Sequence, residues 1–74
     1  MMARTYTLAQ LADRITGGNL VAMARLLNDA GAAPRLDEND PDPSATVSWE
    51  TVVDLAADRA GTREGRAAAE ALRL

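Results

Sequence analysis

The chain has no cysteine and no histidine among its 74 residues. The first absence excludes a disulfide framework, a thiolate zinc cluster and a thiol nucleophile. The second removes the commonest general base and the commonest metal ligand. Aromatic residues are almost as scarce, with Tyr6 and Trp49 forming the whole set. Lysine is missing too, so all eight bases are arginine. Together with the alanine excess, this reads as a coding bias rather than as phosphate chemistry. No apolar run approaches the length of a membrane span, and no signal-peptide pattern follows Met1. A cytoplasmic protein with no membrane partner is therefore expected. At this length one small domain is the upper bound, and a few Leu, Val, Ile and Met side chains must supply its core.

The formal net charge of −3 conceals a segregation. Residues 1–35 hold four Arg against Asp13 and Asp29. Residues 36–58 hold Asp37, Glu38, Asp40, Asp42, Glu50, Asp54 and Asp58 with no base at all. Residues 59–74 return to four Arg, against Glu64 and Glu70. The acidic middle reads first as a solvated, self-repelling segment.

Apolar spacing predicts a first helix starting after Thr7, a good N-cap residue, with Leu8, Leu11, Ala12 and Ile15 on one face. Thr16-Gly17-Gly18-Asn19 stops it, and Asn19 is placed to cap the next helix. That second helix is expected over Leu20 to Ala30, with Leu20, Met23, Ala24, Leu27 and Ala30 inward. Val21, Ala22, Arg25, Asn28 and Asp29 face out, and Leu26 lies at the margin. Gly31 closes the helix and Pro34 follows its end. Leu36 and Val47 flank a Pro-interrupted acidic stretch that reads as two short strands, or extended arms, joined by a mobile loop. Ser48 is the expected N-cap of a third helix. Trp49, Val52, Val53, Leu55, Ala56 and Ala60 cover one broad side of it. After Gly61-Thr62, residues Arg63 to Leu74 favour a further helix, short enough to be marginal without packing. The expected core is Leu8, Leu11, Ile15, Leu20, Met23, Leu27, Val47, Trp49, Val52 and Ala56, with Trp49→Ala the most damaging single change.

Two short helices joined by a Gly-containing turn form a helix-turn-helix candidate. The order resembles the compact winged helix-turn-helix of the MerR and phage excisionase group, and is similar to the DNA-binding domains of phage terminase small subunits. The carrying residues are Tyr6-Thr7-Leu8-Ala9-Gln10-Leu11-Ala12, the turn at Thr16-Gly17, and Arg25-Leu26-Leu27-Asn28-Asp29-Ala30-Gly31-Ala32-Ala33-Pro34 with its Gly-x-x-Pro exit. Val47-Ser48-Trp49-Glu50-Thr51-Val52 corresponds to the strand that enters the third helix. Three departures stand out: an extra turn residue at Gly17-Gly18, Leu26 and Leu27 in place of aromatics, and an acidic wing tip.

The resemblance implies a mainly α fold: three core helices, a short or rudimentary β-hairpin and a C-terminal helix. It divides the chain into an N-terminal arm (1–5), a winged helix-turn-helix-like domain (6–60, acidic wing loop 36–47) and the C-terminal helix (61–74). It also implies a phage or mobile-element regulator that binds double-stranded DNA through the second helix, cooperatively or as a homo-oligomer. With that helix in a major groove, Arg25 is placed to bond guanine, and Asn19 or Asn28 to reach adenine or phosphate, with Ala22 between them. Arg14 and Arg35, with Arg4, are placed for backbone phosphates.

A protein adaptor or virion component built on the same fold is the alternative. Its contact residues would be Val21 and Leu26 on helix two, and Ala68 and Leu72 on a small-residue tail surface. No enzyme and no cofactor is expected. Ser44 and Ser48 lack a base, and the acidic stretch lacks the mid-loop Gly of a calcium loop and sets Pro41 at a ligand position.

Overall fold

A computed structural model of the chain describes residues 4–73. The protein is mainly α-helical with one small two-stranded antiparallel sheet. The order is β1 (Thr5–Thr7), α1 (Leu8–Ile15), α2 (Leu20–Asp29), β2 (Thr46–Ser48), α3 (Trp49–Asp58) and α4 (Arg63–Ala71). Of the expected N-terminal arm, residues 1–3 lie outside the described residues, and Thr5 belongs to β1.

Each helix begins where local chemistry supplies a cap. The Thr7 hydroxyl accepts from the Gln10 amide while the Gln10 side chain accepts from the Thr7 amide, a complete capping box for α1. Asn19 caps α2 through the Ala22 amide at 3.0 Å, and Ser48 caps α3 through Thr51. Thr62 caps α4 through the Gly65 amide. Gly31 follows α2 with a φ of 93°, the left-handed geometry that a helix exit uses and that glycine adopts without strain.

The sheet departs from the sequence expectation in its partner. β2 contains Val47 as expected, but it pairs with β1, in the register Thr5↔Ser48, Tyr6↔Val47 and Thr7↔Thr46. No strand forms on the Leu36 side. The pairing ties the entry of α1 to the entry of α3: Tyr6 and Val47 are both buried in the core, and the Trp49 amide extends the ladder to the Arg4 carbonyl. The Tyr6 hydroxyl is buried with no hydrogen-bond partner among the described residues. A buried unpaired hydroxyl costs about 1–3 kcal/mol. Tyr6→Phe should therefore hold or raise the thermal midpoint, where a drop would reveal a bond that this geometry does not contain.

One core unites all four helices. Leu8, Leu11, Met23, Leu27, Val52 and Leu55 are its largest fully buried side chains, joined by Ile15, Tyr6 and Val47. Leu20 and Ala56, expected inside, are half-buried and pack against its edge. Trp49 is a correction: it is exposed, at 39%. The buried side of α3 centres on Thr51, Val52 and Leu55. This rotates the helix away from the broad apolar side that the sequence offered, and leaves Trp49 and Val53 on its flank.

Ala68 is a second correction. It is completely buried, and Leu72 is half-buried against the same core, so the tail's small residues pack within the chain. The close helix contact they permit is made between α4 and its own α1 and α3. Gly65 marks the tightest point, since a Cβ there would fall on the Arg59 backbone carbonyl at the end of α3. The Arg4 guanidinium adds a tie from the N-terminus, donating to the Leu72 carbonyl at 3.1 Å while lying 5.9 Å from the Tyr6 ring centroid.

Candidate nucleic-acid interface

The turn at Gly17 and Gly18 sets α2 across α1, and the inward stripe Met23, Ala24 and Leu27 fixes which side of α2 looks out. That outer side carries Ala22, Arg25, Leu26 and Asp29, with Asn19 at its start. Arg25 stands well into solvent, its side chain 68% exposed. Arg14, in the last turn of α1, is exposed and carries no ion pair among the described residues. Asn19 is exposed, but its side-chain oxygen is committed to the cap, leaving only its amide hydrogens for a ligand. Val21 and Leu26 are half-buried, Leu26 resting against the core.

Asn28 is not part of that surface. It is buried, and its side chain works as a backbone surrogate: the oxygen accepts from the Leu36 amide at 2.8 Å and the nitrogen donates to the Leu36 carbonyl at 2.9 Å. The placement expected from helical spacing alone fails because the segment after Gly31 folds back over this side of α2. Asn28 thus fastens one end of the loop 30–45. The other end is fastened to α1, whose first free amides are satisfied by loop carbonyls, Leu8 to Ala45 at 2.8 Å and Ala9 to Pro43 at 2.9 Å. The loop is anchored at both ends, unlike the mobile connection expected. Asn28→Ala strips Leu36 of both bonds at a buried site. It should cost about 1–3 kcal/mol and speed hydrogen exchange at the Leu36 amide; unchanged exchange would contradict the latch.

The latch brings one carboxylate onto the arginines. Glu38 accepts from Asn28 at 2.9 Å and from Arg35 at 3.0 Å, and its other oxygen lies 3.5 Å from Arg25 Nε. Its side chain is only 28% exposed, the least solvated partner in the ion pairs among the described residues. Arg35 is otherwise exposed, its side chain 72% in solvent. The acidic stretch is plain in the sequence, but nothing there singles out Glu38. Asp37 and Asp42 serve the loop itself. Asp37 accepts from the Asn39 and Asp40 amides, and Asp42 from the Ser44 hydroxyl and amide. Those Ser44 bonds hold the Asp42 carboxyl below its ordinary range.

A second feature has no signal in the sequence. The end of α1, the outer side of α2 and the start of α4 enclose a groove of about 410 Å³ lined by Ile15, Thr16, Ala22, Leu26, Arg25, Asp29, Arg63 and Glu64. Arg63 thereby lines the same groove as Arg25, which only the packing of α4 brings about. Asp29, in the same lining, is paired with Arg59 at 3.4 Å.

No helix among the described residues is long and apolar enough to cross a membrane. Among the same residues no group of three or more acidic, His or Cys side chains is placed to hold a metal ion. The chain matches no family model, no curated protein and no solved structure.

Proposed function

We propose that the chain is a small nonenzymatic DNA-binding protein of the accessory or regulatory kind, meeting duplex DNA through the outer face of α2. The observation that carries this reading is Arg25. It projects from the exposed side of the second helix of a helix-turn-helix arrangement, with most of its length in solvent. Arg14 and Arg35 flank it as phosphate contacts, and Asn19 and Ala22 lie along the edge that approaches the bases. Glu38 occupies Arg25 and Arg35 in the free protein. Binding exchanges one carboxylate for DNA phosphates, and three cations give modest affinity to a single copy. Several copies side by side would supply the rest.

The test is a fluorescence-anisotropy titration with duplex DNA at several salt concentrations. The two phosphate contacts, Arg14 and Arg35, predict a log–log salt slope of about −2. Arg25→Ala should weaken binding about tenfold or more. Glu38→Gln should tighten it, because the guanidiniums are then released. No binding at low salt, or weaker binding by Glu38→Gln with the fold intact, would overturn the reading.

The groove beside Arg25 favours a second reading, a protein adaptor or packaging component. Its lining mixes the apolar Ile15, Ala22 and Leu26 with charges of both signs, Arg25 and Arg63 beside Asp29 and Glu64. Leu26, which lines the groove, would then be a contact residue, with Val21 on the other flank of α2, and a partner held there would stay bound in salt that strips DNA.

A further inference from the structure

The flank of α3 carries a combination that neither the core nor the α2 face uses. Trp49, the chain's single tryptophan, is the one large apolar side chain exposed among the described residues. Val53, half-buried, and Ala60, exposed, follow it at the spacing that continues one stripe along a helix and its exit, with Ala56 between them resting on the edge of the core. Directly beside this stripe stand Glu50, Asp54 and Asp58, one turn apart and all exposed. Among the described residues none of the three has a counter-ion. Like charges at this spacing repel each other along the helix. Solvent therefore meets an apolar strip and a row of mutually repelling carboxylates, and a single occupant of opposite character relieves both.

We infer that this flank of α3 is a docking surface for a basic amphipathic helix of another protein. An apolar side chain of that helix covers Trp49 and Val53, and its arginines or lysines, spaced one turn apart, meet Glu50, Asp54 and Asp58. The carboxylate row runs about 12 Å, which two to three turns of helix would match. A cation against the indole face adds a further attraction, strongest for arginine. The sign of the row excludes nucleic acid from this side, so the surface is independent of the DNA-binding reading and survives its failure. Exposed aromatic anchors ringed by polar groups are where binding energy concentrates in protein interfaces.

Because Trp49 is the only tryptophan, its emission reports this face alone. The experiment titrates the full chain with a synthetic amidated peptide of about fifteen residues, long enough to form helix on contact. It is built from leucine, alanine and arginine, with leucine on one face and arginine beside it. A saturable blue shift of Trp49 emission is expected. Binding should fall about tenfold or more for Asp54→Arg, for a scrambled peptide of equal composition, and, by calorimetry, for Trp49→Ala. Circular dichroism checks that both variants remain folded. Unmoved emission, equal binding of the scrambled peptide, or indifference to Trp49→Ala would reduce the effect to general charge attraction and overturn the proposal. An emission shift that grows with protein concentration in the absence of peptide would assign the face to a second copy, and would overturn it equally.

Discussion

Gly65→Ala is expected to unfold much of the population near body temperature, although alanine is the better helix former by about 1 kcal/mol. The reason is contact, since α4 crosses the last turn of α3 with no room between them. The new methyl group would meet the Arg59 carbonyl oxygen and carbon, with the Ala60 nitrogen 3.1 Å away. All three are backbone atoms, so no rotamer change relieves the overlap. That carbonyl also accepts from the Thr62 amide at 2.9 Å and the Thr62 hydroxyl at 2.6 Å, the bonds that shape the turn and position the cap of α4. Moving it aside loosens both helices. Overpacking of this kind costs about 3 kcal/mol or more where backbone must shift. A domain this small holds roughly 3–5 kcal/mol in all. The thermal midpoint by circular dichroism should fall by at least about 12 °C. An unchanged or higher midpoint would mean that α4 does not pack as described.

The second large effect reverses an expectation from sequence. Leu55→Ala should cost about 2–5 kcal/mol, the range for emptying a fully buried leucine site. Trp49→Ala should cost less than Leu55→Ala, because a large part of the indole already meets solvent and its removal leaves no enclosed cavity. Leu55 is 1% exposed and belongs to the common core, while Trp49 sits in the first turn of α3 on its open flank. Paired urea titrations of the two variants read the difference directly. If Trp49→Ala proved the more damaging, α3 would have to be turned with its tryptophan inward.

The rotation of α3 marks the boundary of what the sequence makes readable. Helix starts are encoded within four residues, so Thr7, Asn19 and Ser48 announce their caps without knowledge of the fold. The inward stripe of α1 is equally local, because Gln10, Asp13 and Arg14 lie opposite it; on α2 the spacing of Met23, Ala24 and Leu27 carries the stripe although Val21 and Leu26 border it. On α3 the apolar residues span more than half the circumference, and spacing cannot say which part turns in; the neighbouring α4 decides. The pairing of Thr5–Thr7 with Thr46–Ser48 joins segments some forty residues apart, and each strand is too short to carry a periodic signal.

The candidate site divides in the same way. Arg25 is where helical phase puts it. Asn28 shares that phase, yet the returning loop buries it. Glu38 and Arg63 reach the site through tertiary contacts alone. Ala68 shows the converse: its chemistry, a small residue permitting close approach, is legible in the sequence, and the surface it approaches belongs to the same chain.

If the outer face of α2 is the functional surface, with Arg25 at its middle, DNA must leave its imprint there. Chemical-shift mapping by nuclear magnetic resonance, on titration with duplex DNA at low salt, reads that imprint residue by residue. The largest changes should fall on Gly18, Asn19, Ala22 and the Arg25 side chain, with Arg35 and Glu38 moving as their ion pair opens. Changes confined to α3, or an unaltered spectrum at saturating DNA, would contradict the proposed interface.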